Sequence, residues 1–163
     1  MALHSYQHDK IIVNFLENHP DIGLTDLETF YANTAPISHG RVNDQFFIYD
    51  AMSSKFVLVK CDEVRWVFNH NITVRTMGFI PTGRIHEIYL FTSDGQFHAL
   101  FVRGFTEKKR TELLKSIYPH MKNAVFGYSK ELEKAWKEDC EKGNDCMGMA
   151  YLGRLQHQRK AEY

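Results

Sequence analysis

With 163 residues, a formal net charge of zero, 44% hydrophobic and 13% aromatic residues, the chain suits one globular domain with appendages. That composition excludes a disordered chain, and the balanced charge excludes a global field that recruits nucleic acid or an acidic membrane. No apolar run approaches the roughly 18 residues that a membrane-spanning helix requires.

Ile11, Ile12, Phe15 and Leu16 share one face of a short helix predicted over Lys10 to Asn18, which His19-Pro20 ends. Thr25-Asp26-Leu27-Glu28 has the S/T-x-x-E form of a capping box, and Leu27, Phe30 and Tyr31 follow as an i, i+3, i+4 stripe. Pro36 stops this second helix. Strands follow over Gln45 to Asp50 and Lys55 to Lys60, with Ala51 to Ser54 as the turn between them. Glu63 to His70 alternates, with Val64, Trp66 and Phe68 on one side and Arg65, Val67 and Asn69 on the other. The dipeptide signals then predict a turn at His70-Asn71, a short strand Thr73 to Thr76, and a Pro/Gly loop from Gly78 to Gly83.

Arg84 to Gly104 holds two apolar, aromatic-rich runs around Ser93-Asp94-Gly95, a hairpin whose Gly95 supplies the positive φ of a tight loop. Thr106 then caps a helix to Tyr118 carrying Leu113, Leu114 and Ile117, with Lys108-Lys109-Arg110 expected on its solvated face. Ala124 to Tyr128 is a short extended piece, and Ser129 caps a polar helix to about Glu141, which Gly143-Asn144-Asp145 breaks. Six or seven antiparallel strands with short links predict a strongly bent sheet or a partly open barrel.

Charge is distributed unevenly. Residues 1–43 carry a net −3 and residues 105–163 a net +3, so the two ends attract each other or the basic end meets a partner. Nine histidines make the protein cationic on mild acidification, an effect of composition. Cys61, Cys140 and Cys146, with no signal-peptide pattern, fit a reducing cytoplasm, and the Asn71-Ile72-Thr73 sequon is therefore expected to be unused.

Signatures of chemistry are few. His4 and His8 stand at i, i+4, but two ligands do not make a metal site. Cys140 and Cys146 have a five-residue gap and no second pair, and His86-Glu87 has Leu90 where a zincin has its second histidine. Neither a G-x-S-x-G elbow, a P-loop nor a G-x-G-x-x-G turn occurs, and Cys61 reads as inert packing beside Val59 and Val64. Phe46, Phe47, Tyr49, Trp66 and Phe68 lack the interleaved basic residues of a base-stacking platform. Met147, Tyr151 and Leu155, spaced four apart among Arg154, Gln158, Arg159 and Lys160, form an amphipathic piece that folds back in cis or docks on another chain.

Phe56 to Phe68 (FVLVKCDEVRWVF), the Phe91 to Phe97 hairpin (FTSDGQF), the Thr106 helix and Pro119 to Ser129 together resemble bacterial families of uncharacterised pleckstrin-homology-like (PH-like) proteins. The resemblance covers about Ile37 to Ser129. It implies a bent antiparallel sheet closed at one end by the Thr106 helix. In eukaryotic relatives a basic loop between the first two strands binds phosphoinositides. Here that loop falls near Arg41-Val42-Asn43-Asp44, and no lipid-binding residue carries over.

The expectation is therefore an α+β protein: a helical N-terminal segment (1–36), a PH-like β domain (37–128) capped by helix 106–118, and a helical C-terminal extension (129–163). Its expected role is a non-enzymatic protein-interaction module in the cytoplasm that uses no cofactor, metal or nucleic acid. The partner is another protein or a second copy, through Met147, Tyr151 and Leu155. The alternative is a small-ligand or lipid binder that uses the mouth of the bent sheet, lined by Trp66, Phe68 and Tyr89, with peripheral lipid contact as one form of it.

Overall fold

The computed structural model describes residues 6–50, 56–101 and 106–141. Two helices come first, α1 (Tyr6–Asn18) and α2 (Leu24–Asn33), and pack through Ile12, Phe15, Leu27, Phe30 and Tyr31 onto Phe46, Ile48, Phe56 and Leu58. α1 starts four residues before the predicted position. α2 is capped by Gly23, whose N–H donates to the Asp26 carboxylate at 2.8 Å, so Asp26 rather than Glu28 closes the cap.

The first sheet is β1 (Gly40–Val42), β2 (Phe46–Tyr49) and β3 (Val57–Lys60), antiparallel in that order. β2 is buried on both faces, which explains its unbroken apolar run: Phe46 and Ile48 meet the helices, Phe47 and Tyr49 the central core. The Tyr49 hydroxyl is buried without a hydrogen-bond partner, and burial pushes its pKa up to about 12.

The second sheet has the order β6–β5–β4–β7, with β4 (Val64–Thr76), β5 (Ile80–Thr92), β6 (Phe97–Leu100) and β7 (Val125–Phe126). β7 runs parallel to β4, so the strands are not all antiparallel. The architecture among the described residues is mixed α+β with four helices and two sheets, neither closed into the expected barrel. α3 (Glu107–Ile117) packs against β1 and β5. Its Leu113, Leu114 and Ile117 join Val59, Val67, Ile88, Leu90 and Leu100 in the central core. The fit is close at β1: a Cβ on Gly40 would lie 2.8 Å from Leu113 Cδ1.

The capping signals hold for both later helices. The Thr106 hydroxyl accepts from Lys109 N–H at 3.2 Å, and the Ser129 hydroxyl accepts from Leu132 N–H at 3.1 Å at the start of α4 (Lys130–Glu141). Gly95 takes φ 83° in the β5–β6 turn as expected. Arg110 departs from its expected solvated face and is buried, because its guanidinium reaches the Asn71 amide oxygen on β4. The alternation of β4 is also broken. A bulge between Val64 and Trp66 turns Val64 inward with Val67, while Trp66 and Phe68 point away from the central core.

Candidate functional site

The β4–β5 hairpin reaches far beyond its neighbours. β7 pairs with β4 only at Trp66 and Val67, and β6 pairs with β5 only from Ile88 to Phe91. Between those points the two strands form a two-stranded arm joined by Met77-Gly78-Phe79. The predicted turn at His70-Asn71 lies inside β4, and of the predicted Pro/Gly loop at Gly78 to Gly83 only Gly78 and Phe79 are turn, the rest being strand. Pro81 and Gly83 are tolerated there because the outer edge of β5 pairs with no strand among the described residues at that height. A second bulge at Val74/Arg75 leaves Thr82 unpaired, and its hydroxyl donates to Val74 O at 3.3 Å.

The arm presents an unusual surface. Met77 and Phe79 are 79% and 71% exposed, and Ile72, Val74 and Ile80 are exposed beside them. Met77 holds φ 54°, the left-handed region that a side chain with a Cβ enters at a cost. Between Asn69 and His86 there is no acidic residue, while Arg75 and Arg84 are both exposed. The root is fixed by the α3 side: Arg110 Nη1 donates to Asn71 Oδ1 at 2.5 Å, and His86 Nδ1 lies 3.0 Å from the same oxygen. Burial opposes the Arg110 charge and lowers its pKa from the ordinary value, with Glu107 acting the other way.

The aromatic residues expected at a ligand mouth are placed elsewhere. Trp66 and Phe68 are buried under α4 with Val125, Leu132 and Trp136, and Tyr89 packs half-buried at the rim of that cluster. His70 stacks on Tyr89 with centroids 4.3 Å apart. Met147, Tyr151 and Leu155, like Cys140 as a side chain, Cys146 and His4, lie outside the described residues.

A cleft of about 730 Å³ opens between α1, β3 and the β5–β6 turn. Phe15, Phe56, Leu58 and Phe97 contribute apolar walls, and Lys10, His19, Glu63, Asp94 and His98 the titratable groups. His19 Nδ1 lies 2.7 Å from Phe15 O and its Nε2 2.7 Å from Glu63 Oε1. Ser93 N–H donates to Glu63 O at 2.8 Å, which ties the β5–β6 turn to the same wall. Asp94 Oδ1 accepts from Thr92 Oγ1 and from Gln96 N–H. His98 Nε2 is buried without a partner, and burial lowers the imidazole pKa from its ordinary 6.5, with Asp94 partly offsetting. Sequence reasoning missed this cleft, since its lining spans Lys10 to His98 and no local motif joins them.

The depressed His98 pKa has a thermodynamic consequence. Below about pH 6.5 the unfolded chain takes up a proton that the folded protein resists, so stability falls as pH drops from there towards the lower folded value. The slope contributed by one such group is at most about 1.4 kcal/mol per pH unit. Urea denaturation at pH 7.5 and pH 5.5 should show a smaller loss on acidification in His98→Gln than in the parent. Equal losses would remove His98 from the account.

A family model for a domain of unknown function, DUF6709, matches residues 6–136. The chain belongs to the DUF6709 family. No curated protein and no solved structure matches it. The matched stretch starts in α1 and ends at Trp136 in α4, so arm, cleft and all three apolar clusters lie within the DUF6709 domain.

Other chemistry in the DUF6709 domain is spare. Cys61 is fully buried, its thiol donates to Asn43 O at 3.3 Å, and burial pushes its pKa up to about 12, the reverse of an activated nucleophile. His8 stacks on Phe56 and lies 3.4 Å from Asp50. Arg41, in the loop position that the PH-like resemblance would give to phosphoinositides, lies over the Tyr31 ring and donates to Tyr31 O and Thr34 O. Among the described residues no group of three or more His, Cys, Asp or Glu side chains is placed to hold a metal ion. No helix among them is long and apolar enough to cross a membrane.

Proposed function

We propose that this DUF6709 chain is a protein-interaction module and that the β4–β5 arm is its docking element. The observation that carries this reading is the exposure of Met77 and Phe79 at the end of a ribbon that no neighbouring strand among the described residues supports. Large apolar side chains gathered at one projecting point mark an interaction surface far better than the same residues scattered singly. Burying one of them against a partner contributes roughly 1.5–3 kcal/mol. The arm's edges also leave backbone groups open to strand addition.

Crosslinking from the arm tests the proposal. A photoreactive phenylalanine analogue at position 79, irradiated in the cells that express the chain, should give a protein adduct that the same analogue at exposed Lys108 does not. Phe79→Asp should abolish what the arm holds while leaving the circular dichroism spectrum unchanged. No adduct specific to position 79 would sink the reading.

The cleft favours a second reading, small-ligand binding, because its apolar walls and the titratable groups that line it enclose a space large enough for a drug-sized molecule. Native mass spectrometry of the untagged protein would reveal a retained small mass, and a bare chain would count against this alternative.

A further inference from the structure

Strand register divides the arm into two unlike faces. Side chains of paired residues share a face, so Asn71, Thr73 and Arg75 stand with His86 and Arg84, while Ile72, Val74 and Thr76 stand with Ile85 and Ile80. The first face is basic and the second largely apolar, and no acidic residue occurs from Asn69 to His86 to neutralise the first. Arg75 and Arg84 are both exposed, and neither forms an ion pair among the described residues.

The two edges of the arm differ as well. β5 carries Pro81, which has no N–H to donate, and the bulge that leaves Thr82 unpaired, two features that blunt an edge. β4 from Asn69 to Thr76 has neither proline nor glycine and holds the β-branched Ile72, Thr73, Val74 and Thr76. The peptide groups it turns outward follow from its neighbour. β7 lies on the outer edge of β4, where Gly127 N–H donates to Val67 O at 2.8 Å. Alternate residues of a strand turn their N–H and C=O to the same side, so Asn71, Thr73 and Arg75 present theirs on that edge beyond β7. Val74 O accepts from the Thr82 hydroxyl of β5 and so lies on the other side, as the alternation requires.

We propose that the outer edge of β4 takes an added strand, an extended segment of another protein in which acidic and apolar residues alternate. This rests on the arm being a docking element and names what it docks. Side chains of an added strand fall alternately beside the two faces of the ribbon. Its carboxylates then lie beside Arg75, with Arg84 on the next strand, and its apolar side chains lie beside Ile72 and Val74. The three outward residues span about 13 Å, and a strand laid along them ends near the exposed Met77 and Phe79. Such a contact weakens as salt rises, because its charge pairs lie at a solvated rim.

Two synthetic peptides of about ten residues, one alternating Glu and Val and the other Lys and Val, test the edge and its charge separately. Followed through the amide resonances of the protein, the Glu-Val peptide should bind at least about tenfold more tightly than the Lys-Val peptide. It should also slow hydrogen exchange at the amides of Asn71, Thr73 and Arg75 in the unaltered chain. The double variant Arg75→Glu, Arg84→Glu should reverse the preference between the peptides. Thr73→Pro removes one outward N–H and should abolish binding of the Glu-Val peptide, with circular dichroism to check that both variants fold. Equal binding of the two peptides, or binding of neither, overturns the acidic partner. Exchange that slows elsewhere and not at those three amides overturns the edge. A position-79 adduct formed in cells would then leave the arm as a docking element with a different mode of contact, whereas the absence of any adduct overturns both proposals.

Discussion

Trp66→Ala should lower the stability of the domain by about 3–5 kcal/mol, the cost typical of truncating a buried aromatic to alanine. Trp66 is 2% exposed and stands at the centre of the cluster that holds α4 to the second sheet. Its ring stacks on Phe91 at 5.0 Å and packs against Phe68 and Trp136 at 4.6 and 6.1 Å. Its indole N–H donates to Gly127 O at 2.7 Å, which fixes the chain where β7 leaves the sheet for α4. Removing the ring therefore opens a void and leaves that carbonyl without its donor. Against a total stability of the usual 5–15 kcal/mol, the loss is a large fraction. Urea denaturation gives the value, and the near-ultraviolet dichroism of the aromatic cluster should collapse with it. Phe97→Ala, which truncates a half-exposed ring, is the control and should cost far less. A loss below about 1 kcal/mol for Trp66→Ala would mean that α4 does not depend on this cluster.

The same cluster shows what sequence can and cannot reveal. Trp66 and Phe68 were legible as a buried face because they alternate along a strand, yet what covers them was not. Their partners Leu132 and Trp136 lie more than sixty residues on, in a helix whose polar composition disguises a narrow apolar stripe. Caps were legible because they are local: Thr106 and Ser129 need only the backbone three residues ahead. Strand β2 was legible because burial on both faces leaves a run that has no other reading. The second sheet's reach was hidden by Pro81 and Gly83, which punctuate a sheet interior but not a ribbon with an open edge. Arg110 was misplaced for a related reason. A lysine-rich triplet reads as a solvated face, and nothing local tells that its third member meets Asn71 across the fold. The stretch free of acidic residues from Asn69 to His86 was the signal within reach, since Ile72 and Val74 alternate inside it. The cleft has no such signal: His19, Glu63 and His98 are brought together by α1, the short 3-10 turn Cys61–Glu63 and β6, and only their packing makes it.

Shortening the arm should abolish the docking proposed for it while leaving the fold almost untouched. Thr73 pairs with Arg84, so residues 74–83 can be replaced by Asn-Gly, the pair best suited to a two-residue hairpin turn. The change removes Met77 and Phe79, together with Arg75, and it keeps Asn71 and His86, the residues that tie the root to Arg110. None of the excised side chains belongs to an apolar cluster. The excised segment also includes Met77 with its positive φ, and Asn-Gly takes the positive φ of the new turn more readily than Met does. For a domain of this length 1 kcal/mol shifts the melting temperature by roughly 2–4 °C, and the shortened chain should melt within that interval of the parent. Used as bait in the cells that express it, the shortened chain should lose the protein that the position-79 analogue crosslinks in the parent. A shortened chain that still retains that protein would move the docking surface away from the arm. One that melts far below the parent would make the arm a structural element, contrary to its exposure.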